Sequence, residues 1–358
     1  MKLLKKIPMI IFIAINLLTI VAMIFCAYTS YLPPQRFPHL SYFGLMFPFF
    51  LGANVVFLFF WLVFKWKVVI LPAIGLLLCA SSIRAYFPLN IPSSTPEGCI
   101  KVLSYNVMAF GNKNVHWNEN PILNYLFDSQ ADIICLQEGK KTTVDDALDK
   151  LTELYPYHSM EISTDNYIAC FSKYPILSTI QINYPTETNC SFVYTVAVGE
   201  DTILLINNHL ESYKLSAEDK ADYKSIIKNY SHPEENNSET KYLTLTEKIS
   251  HRDSIRGIQA DYVADFVESH QDSHIILCGD LNSSPISYPH HRLTQYLNDA
   301  YTHSGNGPGT SYNRSGMYFR LDHIMVSPDL ECYQAKVDKS IKESDHYPIY
   351  CYVKISRK

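Results

Sequence analysis

Eight side chains in this 358-residue sequence pair useful chemistry with a shared placement. The apolar run KVLSYN ends in Asn106, IICLQE ends in Glu138 and LLINNH ends in His209. HIILCGDLN ends in Asp280 and Asn282, RLDHIMV opens with Asp322, and SDHYPI places Asp345 and His346 before a last apolar run. Carboxylate and amide oxygens are the hard ligands that Mg²⁺, Mn²⁺ or Ca²⁺ prefer. Imidazoles add donors and acceptors that titrate near neutrality. A divalent cation, a carboxylate base and imidazoles in one crevice are the equipment of phosphoester hydrolysis.

Each motif alone has a plainer reading. A Glu after a strand is usually a loop charge, and Gly279-Asp280 is an ordinary turn pair. Ser344-Asp345-His346 imitates a Ser-His-Asp triad, but neighbours on an extended chain point in opposite directions and no GxSxG elbow is present. His251, His290 and His291 have no cysteine or carboxylate at zinc spacing. The force of the pattern lies in six motifs, in order, all at strand ends.

The elements that must hold these residues are short apolar runs alternating with amphipathic stretches. Strands are predicted at 100–105, 133–136, 168–171, 192–198, 203–207, 274–278, 323–326 and 347–353. Helices are predicted at 120–129, 144–154, 217–230, 253–269 and 292–297. This alternation predicts an α/β domain with large sheets, whose strand ends meet at one crevice. Within a long insertion, about 213–250, the stretch SHPEENNSETK (231–241) is expected to be a mobile surface loop.

From Lys101 to about Val353 the motifs resemble the endonuclease/exonuclease/phosphatase superfamily, which includes pancreatic-type deoxyribonucleases and apurinic endonucleases. The resemblance implies a four-layer α/β sandwich, two mixed sheets covered by helices on both sides. It implies that Asn106, Glu138 and Asp345 bind the metal, Mg²⁺ or Mn²⁺. Asp280 is implied to take a proton from water, Asn282 to orient it, and His346, held by Asp322, to bond the phosphate. His209 is implied to stabilise charge on the far side of the phosphorus. Arg256 and Gln259 resemble the family helix that borders the site. The stretch from His209 to Arg256 is longer than usual in the family, which leaves DNA, RNA, phospholipid head groups and small phosphoesters open as substrates.

The first 98 residues differ from the rest. They carry seven Lys and Arg against one acid, Glu97, which leaves a formal charge of −11 on 99–358. Such an acidic domain does not offer the basic groove that backbone binding of nucleic acid favours. Apolar runs at about 10–31, 42–64 and 68–87 each approach the ~20 residues needed to cross a bilayer. Three transmembrane helices are therefore expected in a membrane anchor (1–88), followed by a Pro/Ser-rich linker (89–98) and the catalytic domain (99–358). Lys2, Lys5, Lys6, Lys65 and Lys67 flank the same ends of these spans, while the first loop has only Arg36. That asymmetry predicts a cytoplasmic N-terminus and an extracytoplasmic catalytic domain. Nine cysteines without a CxxC pair read as buried thiols rather than a disulfide scaffold.

Overall fold

In a computed structural model, residues 7–111, 119–140, 145–163, 166–186, 189–214, 216, 218–219, 238–314 and 318–355 are described. The expected helix at 217–230 falls almost wholly outside them, as do 231–237 of the expected loop.

Twelve strands form two mixed sheets of six among the described residues. The first has the order β11(Leu330–Val337), β12(Ile349–Ile355), β1(Ile100–Asn106), β2(Ile133–Gly139), β4(Asn166–Ser172), β3(Tyr157–Ser163). The second runs β5(Ile176–Ile182), β6(Cys190–Val198), β7(Asp201–His209), β8(His274–Asp280), β10(Asp322–Val326), β9(Asn298–Asp299). Period-two side-chain alternation creates the layers. In β1, Ile100 and Val102 face the core between the sheets, with Cys135, Cys170, Leu205 and Cys278. Leu103 and Tyr105 face outward, under Ile122, Leu123 and Leu126 of the helix Pro121–Asp128. Across the molecule, Val263, Ala264 and Val267 of the helix Ser238–Ser269 cover Leu277 and Met325. Helix, sheet, sheet, helix is the expected sandwich.

Several expected boundaries move. The long helix begins at Ser238, so the last four residues of the expected loop are its first turn. The sequence predicts it only from Asp253, since the largely polar stretch 238–252 shows no apolar stripe; the side chains that cover the second sheet begin at Val263. A short helix spans Tyr288–Leu293, capped by the Ser287 hydroxyl, rather than 292–297. All nine cysteines are free thiols.

The N-terminal region contains two helices long and apolar enough to cross a membrane, Met9–Tyr31 and Ser41–Phe64. The expected third span is instead two helices, Ile70–Leu78 and Ala80–Tyr86, meeting at a 65° bend. The Cys79 amide there is shared between the carbonyls of Gly75 and Leu76, and Ser81-Ser82 follows, a recurrent setting for helix kinks. Between the first two helices, Asn16 Nδ2 donates to Asn54 Oδ1 (3.2 Å) and Trp61 Nε1 donates to Asn16 Oδ1 (2.8 Å). The segment 88–97 that follows the helices has no helix or strand and runs along the sandwich, with Asn90 donating to the carbonyls of Thr302 (3.2 Å) and Gly305 (2.6 Å).

Candidate functional site

β1 runs parallel to β2 and β7 runs parallel to β8, so their C-terminal ends lie on one edge of the sandwich. Registry does the rest. His209 pairs with Asp280 across β7 and β8, and Asp322 pairs with Asp280 across β10 and β8. From the facing sheet, Asn106 ends β1 and Glu138 lies near the end of β2. Two buried amides join the sheets just behind them, Gln137 Nε2 donating to Asn207 Oδ1 at 2.6 Å.

The backbone at the edge is unusual. Glu138 has φ +54° in a β-bulge, and Asn282 has φ +48°. Such left-handed conformations cost about 1–3 kcal/mol away from glycine and cluster at functional sites. Gly279 has φ +129°, and a Cβ there would stand 2.0 Å from the Asn208 carbonyl oxygen. Only glycine lets β8 approach β7 this closely one residue before Asp280.

Asp280 is the hub. Its Oδ2 accepts from Asn106 Nδ2 at 3.1 Å and lies 3.6 Å from His346 Nε2 and 3.9 Å from His209 Nε2. Its Oδ1 accepts from the Asn282 amide at 2.8 Å. Asn106 Nδ2 also donates to Glu138 Oε1 at 3.1 Å, which lies 3.3 Å from His209 Nε2. His346 Nδ1 meets Asp322 Oδ2 at 2.7 Å. Asn282 Nδ2 donates to the Leu210 carbonyl at 2.9 Å, which fixes the loop against the end of β7.

Burial and neighbouring charge set the titration. Burial raises the Asp280 carboxyl to about 6, with Asp322 adding to the rise and the two imidazoles opposing it. Burial also works against the Glu138 anion, but His209 and Asn106 overcome this and hold the group at about 2. Burial disfavours both imidazolium ions, yet Glu138 raises the pKa of His209 and Asp322 with Asp280 raises that of His346 well above normal.

Seven of the eight predicted residues thus form one bonded cluster. Asp345 stands at its rim, half-buried; its backbone carbonyl accepts from the Asn313 amide at 3.1 Å. Among the described residues, its carboxylate makes no hydrogen bond or ion pair with Asn106 or Glu138. Three further residues were missed from sequence. Ser311 Oγ accepts from the Leu321 and Asp322 amides, Ser344 Oγ donates to the Asn106 carbonyl, and the Tyr312 ring stands edge-on to His346 at 5.1 Å. Their signal is the segment GTSYN ahead of RLDH, and a serine before the DH pair. Arg256 and Gln259 reach the segment after His209: Arg256 Nη1 donates to the Glu211 carbonyl and Gln259 Oε1 accepts from the Glu211 amide.

Ligand atoms of Asp280, Asp322 and His346 lie within 4.8 Å of one another. The buried Asp322 Oδ1 has no hydrogen-bond partner among the described residues. An unpaired buried carboxylate oxygen beside Asp280 and His346 suits a hard divalent cation. His290, Asp299 and His323 make a second such group, but the Arg320 guanidinium, 3.6 Å from Asp299, already supplies its positive charge.

Two packed mixed sheets with a carboxylate, amide and imidazole cluster at one edge define a class of α/β sandwich. The chain belongs to the endonuclease/exonuclease/phosphatase family, whose model matches residues 103–346. A domain of unknown function (DUF8431) matches residues 9–86. No curated protein matches the chain. Among solved structures, the human Nocturnin catalytic domain with bound sulfate anion is similar at 17% identity and a TM-score of 0.50, covering 72% of this chain and 94% of that one. An endonuclease/exonuclease/phosphatase from Beutenbergia cavernae is similar at 15% identity and a TM-score of 0.51, covering 72% of each chain. TDP2 from C. elegans is similar at 15% identity and a TM-score of 0.50, covering 85% and 92%.

Proposed function

We propose that this chain is a membrane-anchored, divalent-metal-dependent phosphoester hydrolase of the phosphodiesterase or nuclease type. The observation that carries the reading is the position of Asp280, a carboxylate with a pKa of about 6 between two imidazoles and the Asn106 amide. Above that pH it is ionised and can take a proton from water. His346, kept cationic by Asp322, donates to a phosphate oxygen. His209, whose pKa Glu138 raises, faces the same hub from the neighbouring strand and stabilises developing charge. Asn282 holds the loop and offers its Oδ1 to the attacking water. Mg²⁺ or Mn²⁺, held by Glu138 and Asn106 with Asp345 or Asp322 completing the donors, would neutralise charge on a non-bridging phosphate oxygen.

The domain division proposed is anchor 1–88, linker 89–98 and catalytic domain 99–358. The loop between the first two membrane helices touches the catalytic domain, as Gln35 Nε2 donates to Asp261 at 3.0 Å. Both therefore belong on one side of the bilayer. That supports an odd number of crossings, with the bent pair Ile70–Tyr86 as the third, and with the lysine asymmetry it supports an extracytoplasmic catalytic domain.

A second reading, a phospholipid head-group phosphodiesterase, has one observation in its favour. Ile286, four residues beyond Asn282, is buried among Met23, Cys26, Ala27, Phe47 and Cys79 of the membrane helices. The test is hydrolysis by the full chain in detergent micelles of bis(p-nitrophenyl) phosphate, DNA, RNA and phospholipid vesicles, with Mg²⁺, Mn²⁺ or EDTA. Asp280→Asn should lower kcat by about 10²–10⁴-fold. Unchanged turnover in that variant overturns the mechanism, and silence on every substrate favours a binding protein of the same fold.

A further inference from the structure

The membrane region does more than tether. Four contacts fasten residues 29–46, which join the α-helix Ile7–Tyr28 to the α-helix Phe47–Phe64 and include the 3-10 turns at the ends of the first two spans, to the long helix Ser238–Ser269. Ser41 Oγ lies 2.6 Å from Asp253 Oδ2, Ser254 Oγ donates to the Pro34 carbonyl at 3.0 Å, and Gln35 donates to Asp261. Gly257 lies against Pro34 so closely that a Cβ there would stand 2.5 Å from the proline ring.

Two routes lead from this loop to the site. In the first, Asp253 Oδ1 accepts from Tyr213 at 3.0 Å and from the fully buried Arg256, whose guanidinium stacks on Tyr213. Arg256 and Gln259 then hold the backbone of Glu211, two residues after His209, at 2.6 and 2.8 Å. In the second, Gly44 sits on the Ile286 backbone; a Cβ at Gly44 would stand 2.0 Å from the Ile286 carbonyl oxygen. Ile286 ends the loop that begins at Asn282, and its Ser283 carbonyl is bonded by His323, the neighbour of Asp322. Elements on both flanks of Asp280 are thus braced by one short segment of the membrane region.

We infer that residues 29–46 are a positioning surface for the active site, with Ser41 and Gly44 as its two bearing points. This inference rests on the hydrolase reading of the site for its kinetic consequence, though not for its structural one. Without the brace, the His209–Tyr213 and Asp280–Ser287 segments lose their common reference, and misplacement of catalytic groups by about 1 Å lowers turnover on the order of 10²-fold.

Glycine gives a clean test. Gly44 lies in a 3-10 turn at a backbone angle open to any residue, so alanine there disturbs only the contact with Ile286. Gly52 lies in the second spanning helix with nothing within 4 Å of its Cβ position, and serves as the matched control. Hydrogen exchange of residues 207–213 and 280–287 is measured on the full chain in nanodiscs, beside kcat and KM for bis(p-nitrophenyl) phosphate with Mg²⁺. Gly44→Ala should exchange faster in 280–287 and lose kcat with KM little changed, while Gly52→Ala matches the wild type in both. Ser41→Ala, which adds no bulk and decides the matter should Gly44→Ala fail to fold, should loosen 207–213, and Ser41→Thr should restore it. Wild-type exchange and kcat in both Gly44→Ala and Ser41→Ala overturn the inference. If no form of the chain hydrolyses the probe, the hydrolase reading falls while the exchange data still decide the brace.

Discussion

Replacing Asp322 by Asn keeps the shape of the side chain and removes one charge, and its consequence can be worked out in sign and size. The carboxylate meets His346 Nδ1 at 2.7 Å with both groups buried, and it is the leading group that raises the imidazole pKa against the effect of burial. A hydrogen bond to a charged partner contributes about 1.5–3 kcal/mol, which corresponds to roughly 10–150-fold in rate if its worth is realised in the transition state. The direction of the pH effect follows from the role. His346 donates to phosphate as the cation, so activity falls as pH rises through its pKa. Asp322 holds that pKa up, and its loss brings the alkaline limb to lower pH. Steady-state hydrolysis of bis(p-nitrophenyl) phosphate by the full chain between pH 5 and 10 measures both effects. Asp329→Asn, which disturbs the His274–Asp329 pair at the opposite end of β8, is the control and should leave both unchanged. A kcat within twofold of wild type and an unmoved alkaline limb would refute the assignment of His346.

Three other outcomes are expected. Gly279→Ala should destabilise the fold by on the order of 3 kcal/mol, since its φ is +129° and the new Cβ meets the Asn208 carbonyl at 2.0 Å; a thermal melt with unchanged Tm contradicts this. Mg²⁺ binding should lower the pKa of His209, because the cation neutralises the Glu138 charge that raises it; an NMR pH titration of the imidazole with and without Mg²⁺ reads the shift, and an unmoved titration rejects the pairing. Asn16→Leu removes the bonds to Asn54 and Trp61 and should weaken packing of the first two membrane helices by about 1 kcal/mol, seen as lower cross-linking between cysteines placed on them.

The two-sheet sandwich was legible in sequence to an unequal degree, and the inequality has a cause. The strands foreseen, β1, β2, β4, β6, β7, β8, β10 and β12, are all interior to their sheets. Those unforeseen, β3, β5, β9 and β11, are the four sheet edges. An interior strand has neighbours on both sides and a covered face above and below, so it reads as an unbroken apolar run ending in a polar residue. An edge strand such as ILSTIQI is exposed at Leu177 and Ile180 and carries polar residues between them, which hides its period. The same logic explains why the site was visible. Asn106, Glu138, His209 and Asp280 close interior runs, so the end of burial marks the start of chemistry.

What was not legible is the joining of the two halves. Ser41 and Asp253 are separated by 212 residues, and neither lies in an apolar period that would announce a contact. The helix Ser238–Ser269 is expected from sequence only from Asp253, and its apolar contacts with the second sheet begin later still, at Val263. Its preceding four turns carry KYLTLTEKIS and other largely polar sequence, which reads as loop when burial against a sheet is the only criterion. Its polar groups serve other partners: Asp253, Ser254 and Asp261 meet the N-terminal segment 34–41, while Arg256 and Gln259 meet the segment just after His209. A helix that bonds on two sides through polar groups cannot display the single apolar face that sequence periodicity detects. Gly257 is the one sign left in the sequence, a glycine inside a helix, which costs stability and is retained where another backbone or ring passes close by. Here that ring is Pro34, and the glycine marks the point where the N-terminal helical region meets the sandwich.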